Sequence, residues 1–444
     1  MQRNVVRVVA SPRSYDYDSP WVVRPQEPLH GMGVIIAAGI LTPASSVTNA
    51  SSVSVSAPSG ERIPTSVLAI DHDRDLALLA NVGPFTSIPP VPIGALAEVG
   101  TELEMLCWDD NATRPSLLQG RVAKLDVQRY AHAQRNVLTM TVDVGIGDKP
   151  NPGAAFAGGA LVGIAHQRPT NTTDAIDLVP APVIAAFLAA VERRGSHGVP
   201  TLGITTQNLQ NAALRDHLGG HDGVLVLHVE HGESGDGVLQ SGDVLTAIGG
   251  RPVTRTGLID LSGAKVRHDA ILGLHHIGDR LHTTIVRNRA ILETMVTLTA
   301  WKPLVPRAVF TRPRYLVYAG LVFQPLSRDY LTTWETWWNT GPKEFLNFYY
   351  LGRRTPDQHE VVILSSILDD DANLGYQHLY NESIATIDGH APIDFADFVA
   401  RLDAARGSVH IVTTSGGVIH LNVDDARRAT TRVLENLAIP ADRA

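Results

Sequence analysis

Apolar and polar positions exchange every few residues over roughly the first 178 positions, a rhythm that predicts short strands. The runs 5–10, 33–41, 52–57, 66–70, 76–80, 101–107, 120–125 and 137–142 are rich in β-branched or apolar residues. Strands this short and this closely spaced imply a barrel or sandwich. The rhythm then changes. Pro182 suits a first helical turn, 183–191 is apolar, Glu192, Arg193 and Arg194 are charged, and Gly195 supplies a stop. Ser196 to Pro200 reads as a linker, and 307–313, between Pro306 and Pro313, reads as a hinge. Domains are therefore expected at 1–196, 199–302 and 315–440, the last two mixing short strands with helices.

Composition narrows the classes. With 444 residues, 44% of them hydrophobic, the chain can bury several cores. A formal net charge of −8 argues against a nucleic-acid surface, which needs a basic field. Cys107 is the single cysteine, so no intrachain disulfide forms. The longest apolar stretch, 33–41, is far below the ~20 residues of a membrane span, and no signal-peptide core precedes it. A cytoplasmic chain is expected, with a periplasmic or secreted mature form as the alternative.

Particular segments carry a resemblance. Gly31-Met32-Gly33-Val34-Ile35-Ile36, followed by Gly39-Ile40-Leu41-Thr42, resembles the entry to the catalytic histidine in the HtrA/Deg proteases. Asp71 to Leu79 matches that family's D-x-x-x-D-L-A-L-L motif, with Asp75 at the catalytic aspartate. Leu161 to Ala165 and Val179 to Ile184 continue the match, and Gly242 to Val253 is similar to its PDZ domain. Ala319 to Phe323 and Asn373 to Tyr376 resemble the second PDZ domain of plant-type Deg proteins. The resemblance implies a mainly β fold: a trypsin-like double β-barrel followed by two PDZ-like α+β domains.

At two positions the chain departs from the family motif. Ser45 falls where the histidine belongs, and Asn151 falls at the serine, or Ala155 if Gly153-Ala154-Ala155 is matched with a gap. A serine hydroxyl is no base near neutral pH, and an amide is no nucleophile. Lys149, Pro150 and Pro152 stand where the oxyanion-hole loop should curl. The degenerate triad positions Ser45, Asp75 and Asn151 thus predict a chain that is not an enzyme, with Asp75 bonding Ser45 or capping a turn. His72, His132 and His166 are weighed as substitute bases and read as ordinary surface or core residues. The histidines 268, 275, 276 and 282 lack the spaced partners of a metal site, and no cofactor is expected.

A PDZ domain takes a peptide as an added strand and holds its terminal carboxylate on backbone N–H groups. Thr201, Leu202, Gly203 and Ile204 would form that loop, opposite a helix around 266–274. The expected function is that of a pseudoprotease scaffold or chaperone-like holder, binding unfolded or C-terminal peptides and partner proteins. A regulatory subunit of an active Deg paralogue is the alternative, and a serine endopeptidase with an unrecognised nucleophile the third. Trp334, Trp337 and Trp338 would share one helical stripe, suited to packing or a subunit contact. The family resemblance implies a trimer or a multiple of it.

Overall fold

The structure, a computed structural model, describes residues 2–56, 60–108, 115–130, 135–145, 151–167, 174–195 and 198–444, with backbone alone at 151 and 152. It divides into two compact units. One comprises residues 1–12 and 27–301, the other 13–26 and 302–444.

In the first unit, seven strands pair in the order Arg62–Thr65, Ala50–Ser56, Val5–Tyr15, Leu29–Ile36, Gly39–Thr42, Leu76–Leu79 and Val67–Asp71. Alternate positions face a core of Val6, Val8, Ile35, Ile40, Leu79 and Phe85. The run 33–41, expected as one strand, is a hairpin that turns at Ala37 and Ala38. Gly39 makes the turn possible: its φ is +148°, and a Cβ there would strike the Leu79 carbonyl.

Six further strands close a barrel: Ser116–Arg129, Asn136–Asp143, Ala175–Pro180, Ala160–Gln167, Asn151–Ala157 and Glu102–Trp108. The helix Ala181–Glu192 follows, with Val183, Ile184 and Phe187 buried. Its end differs in detail from expectation, because Arg194 takes the left-handed position (φ 50°) and not Gly195.

The same unit continues into a sheet ordered Ile204–Asn208, Val224–Val229, Val244–Ile248, Arg280–Arg287 and Ala290–Thr297. Ile204–Asn208 is an edge strand, paired on one side only among the described residues. The helix expected around 266–274 is instead the end of the strand Ala264–Arg267 and a 3-10 helix, His268–Leu274. Arg267 offers no capping side-chain bond, and seven residues are few for an α-helix to stand on. One apolar core runs from the barrel (Leu138, Phe156) and the helix after it (Phe187) through the 3-10 helix (Ile271, Leu272) into this sheet (Val224, Leu245, Ile285), which is why they fold as one unit.

The second unit is a sheet of Leu316–Tyr318, Leu321–Pro325, Val362–Ile367, Glu382–Ile387, Ser408–Thr413 and Val418–Asn422. Helix Val423–Asn436 begins where the Asn422 side chain accepts from the N–H groups of Asp424 and Asp425, and buries Val423, Ala426, Ala429 and Val433. The tryptophan stripe is broken. Trp337 and Trp338 open a helix of four residues, Trp337–Thr340, while Trp334 lies before it and packs edge-on against Tyr330 at 5.4 Å. Trp337 packs instead with Tyr349 (5.3 Å) and Tyr350 (6.4 Å), leaving Trp338 and Tyr350 exposed.

Candidate peptide sites

The turn between Val67–Asp71 and Leu76–Leu79 delivers Asp75 to the start of the 3-10 helix Ala44–Ser46. Asp75 is buried, with a left-handed φ of 51°. It accepts from Ser45 N at 2.7 Å and from Ser45 Oγ at 3.1 Å. Burial pushes its carboxyl up to about 7, against the lowering effect of the Ser45 and Ala44 hydrogen bonds. The carboxylate therefore holds a hydroxyl and a backbone amide where the family motif places an imidazole.

Beside this pair lies a cleft of about 140 Å³ whose lining includes His30, Ser45, Ser46, Gly153 and His166. Two hydroxyls and two imidazoles thus face one space. Gly31 allows Ser46 to sit there, since a Cβ at 31 would strike the Ser46 hydroxyl. His166 lies against the Tyr130 ring, with centroids 3.8 Å apart. Gly153 is equally constrained, for a Cβ would overlap Met32 and the Leu106 carbonyl. Gly153→Ala is expected to cost about 1–3 kcal/mol through forced repacking, read as a lowered denaturation midpoint with unchanged slope.

The remaining sequence candidates are partly dispersed. His72 is half-buried on the turn 72–75. His132, Lys149 and Pro150 lie outside the described residues, as do the side chains of Asn151 and Pro152. His275 pairs with Asp279 at 3.5 Å, and His282 with Glu293.

The second site is a groove. Thr201, Leu202, Gly203 and Ile204 all line one cavity of about 240 Å³, opposite His268 and Leu272. Gly203 has φ +66°, and its N–H donates to Thr201 Oγ1 at 2.8 Å. Leu202 is buried, and its carbonyl accepts from Gly235 N at 2.9 Å. The His268 ring donates through Nδ1 to the Gly257 carbonyl at 3.0 Å, and burial lowers its pKa. Arg129, Arg135 and Arg267, none of them marked by a local sequence signal, complete the rim.

The segment before this groove is no free linker. Gly198 N donates to Asp71 Oδ2 and Val199 N to Asp73 Oδ2, both at 3.0 Å, and Pro200–Thr201 pairs with Thr299–Ala300. Arg74, fully buried, donates to Asp71 at 2.7 Å, Gly198 O at 2.8 Å, His275 O at 2.7 Å and Gly273 O at 3.3 Å. The turn that carries Asp75 is thereby fastened to the segments that lead into and out of this groove.

With this geometry in view, the chain matches known families along most of its length. Residues 31–164 match the trypsin-like peptidase domain and 305–444 a PDZ domain. Protease Do-like 2, chloroplastic, of Arabidopsis thaliana is 27% identical across 99% of this chain and 74% of its own length. The chain carries a trypsin-like peptidase domain and a PDZ domain, and its homologues are Do-like (HtrA) proteases. Protease Do-like 4, mitochondrial, of the same plant is 24% identical across 95% of this chain and 81% of its own. Among solved structures, the HtrA-type protease AlgW with a tripeptide aligns at a TM-score of 0.51 with 16% identity, covering 68% of this chain and 95% of that one. A variant of AlgW with a decapeptide aligns at 0.52 and 15%, with the same coverage. Both support the mainly β fold, a trypsin-like domain followed by a PDZ domain.

The expectation that this chain is not an enzyme is overturned, because its Do-like relatives are named as proteases. The physical reason lies in what that expectation rested on. It took Ser45, Asn151 and the loop of Lys149, Pro150 and Pro152 as the loss of all chemistry, yet the cleft gathers Ser45, Ser46, His30 and His166, and Lys149, Pro150 and the side chains of Asn151 and Pro152 are not among those described. Two relatives carry the words chloroplastic or mitochondrial in their names, so a cytoplasmic location gains no support from them. Among the described residues no helix is long and apolar enough to cross a membrane.

Proposed function

We propose that this chain captures peptides by their free C-termini in the groove at 201–204, holding each as an added strand. The observation that carries this reading is the one-sided edge strand Ile204–Asn208 running out of the Leu202–Gly203 turn, beside a cavity closed by Leu272. An edge strand offers unpaired N–H and C=O groups, and a peptide satisfies them. The aliphatic Leu202, Ile204 and Leu272 favour an apolar last residue. The decapeptide and tripeptide in the AlgW structures are consistent with such a role. Self-association, as a trimer or a multiple of it, would add avidity to weak single contacts. The exposed Trp338 and Tyr350 supply an aromatic surface for it, and light scattering giving only monomer at micromolar concentration would remove that part.

The decisive test leaves the protein unaltered. Fluorescence polarisation with the full chain compares peptides with a free C-terminal acid against the same peptides as amides. Free acids with apolar ends are expected to bind near 1 μM, about −8 kcal/mol, and amides at least about tenfold more weakly. Equal binding of both forms would refute carboxylate capture. Gly203→Val is a poorer probe. Its Cβ would stand 2.5 Å from Glu233 Cβ at a left-handed φ, so binding and fold would suffer together.

A second reading, hydrolysis of the held peptide in the Ser45–Ser46 cleft, is favoured by the imidazoles of His30 and His166 lining the same space. Mass spectrometry of bound peptides, with a fluorophosphonate probe read at Ser45 and Ser46, tests it. Unlabelled serines and intact peptides would set it aside.

A further inference from the structure

The groove at 201–204 is charged on one flank. Arg129 ends the barrel strand Ser116–Arg129, Arg135 immediately precedes the barrel strand Asn136–Asp143, and Arg267 comes from the rim opposite. Asp269 is the acidic residue among the lining side chains: its Oδ2 accepts from Arg267 Nη2 at 2.7 Å and from Asn136 Nδ2 at 3.3 Å, while its Oδ1 is buried and finds no donor among the described residues. Arg267 and Asp269 offset each other. Arg129 and Arg135 then leave the flank net positive.

Arg135 is held and incompletely satisfied. Its guanidinium lies 5.5 Å from the Trp301 ring centroid, and Nη2 donates to the Pro200 carbonyl at 3.2 Å. Its Nε is buried and finds no hydrogen-bond acceptor among the described residues. An incoming carboxylate would meet the remaining Nη donors of this guanidinium, and a charge-assisted bond there is stronger than a neutral one. Stacking on Trp301 and the bond to Pro200 fix the fork, so little side-chain entropy remains to be lost on binding. Asp73, Glu233 and Asp269 also act on Arg135 electrostatically, and of these Asp269 lines the cavity.

From this we infer that the groove selects peptides bearing Asp or Glu upstream of the C-terminal residue, the acidic side chain docking on Arg135 and Arg129. The inference rests on the peptide-capture reading and adds its specificity: the last residue is chosen by Leu202 and Ile204, the upstream charge by the barrel. A peptide-binding sheet that borrows its charge from the neighbouring barrel discriminates only while the two stay packed, so the full chain is the proper reagent.

The experiment titrates the full chain with three fluorescein-labelled peptides that share one apolar C-terminal residue and carry acidic, neutral or basic residues upstream. The acidic peptide should bind at least about tenfold more tightly than the neutral one. That advantage should shrink several-fold between about 0.05 M and about 0.5 M salt, and it should vanish in Arg129→Gln/Arg135→Met. Equal binding of acidic and neutral peptides would overturn the inference and leave carboxylate capture standing. Failure of all three peptides would instead overturn the capture reading beneath it. Should the double variant not fold, the salt series on the unaltered chain decides, since an advantage indifferent to salt contradicts recognition by arginine.

Discussion

Replacing Arg74 by methionine is expected to cost about 3–5 kcal/mol of stability, among the largest effects of any single substitution here. Both partners of its ion pair are buried, with side-chain exposures of 1% for Arg74 and 0% for Asp71. Removing the guanidinium leaves the buried Asp71 carboxylate without its counter-charge, held only by the Arg74 and Gly198 backbone N–H groups, and strips donors from the carbonyls of Gly198, Gly273 and His275. The Asp71 and Gly273 bonds are buried and those to Gly198 and His275 partly so, which leaves little water to replace the lost donors. Those carbonyls lie on the two segments that lead into and out of the groove at 201–204, so the damage should not stay local. In urea, the single transition of the first unit should split, with the 199–301 region melting first and peptide affinity falling with it. A change below about 1 kcal/mol would show that the buried arginine contributes little beyond packing.

A second large effect should appear with pH. The Asp75 carboxyl stands at about 7 in the folded chain, against roughly 3.9 when unfolded. Between those values the folded state holds a proton that the unfolded state has released. Stability from this group is therefore complete below about pH 4 and is lost as pH rises through 7. Asp75→Asn keeps an acceptor for Ser45 N and cannot ionise. Relative to the natural chain, the variant should gain up to about 4 kcal/mol between pH 4 and pH 8, from about three pH units at 1.36 kcal/mol each. Asp73, which burial and the nearby Asp71 raise to about 6, titrates in both proteins and cancels. Thermal melts at stepped pH would give the comparison, and parallel curves would place Asp75 in a far more hydrated setting.

Much of this architecture can be read in the chain because its strands obey local rules. Alternation along 52–57 or 137–142 needs only near neighbours, and the structure pairs 52–56 and 137–142 within sheets. The motif around Asp75 likewise places the aspartate on a turn between paired strands. What escapes a local reading depends on distant partners. The carbonyls that Arg74 bonds lie at 198, 273 and 275, and no nearby spacing announces them. The supposed linker is fixed for the same reason, through Asp71 and Asp73. Ala37 and Ala38 conceal a turn because Gly39 alone supplies the unusual φ. The tryptophans have helical spacing, but Trp334 precedes the short helix and packs separately on Tyr330. The charge of the groove was hidden by its split origin, with Arg129 and Arg135 from the barrel and Arg267 beyond the sheet.

Amide hydrogen exchange on the full chain, with and without a saturating apolar-ended acidic peptide, tests peptide capture most directly. Strand addition predicts slowed exchange concentrated at 202–208, strongest along the edge Ile204–Asn208, with the amidated peptide leaving the same amides unprotected. Protection that spared these residues while the peptide was demonstrably bound would contradict capture at this groove.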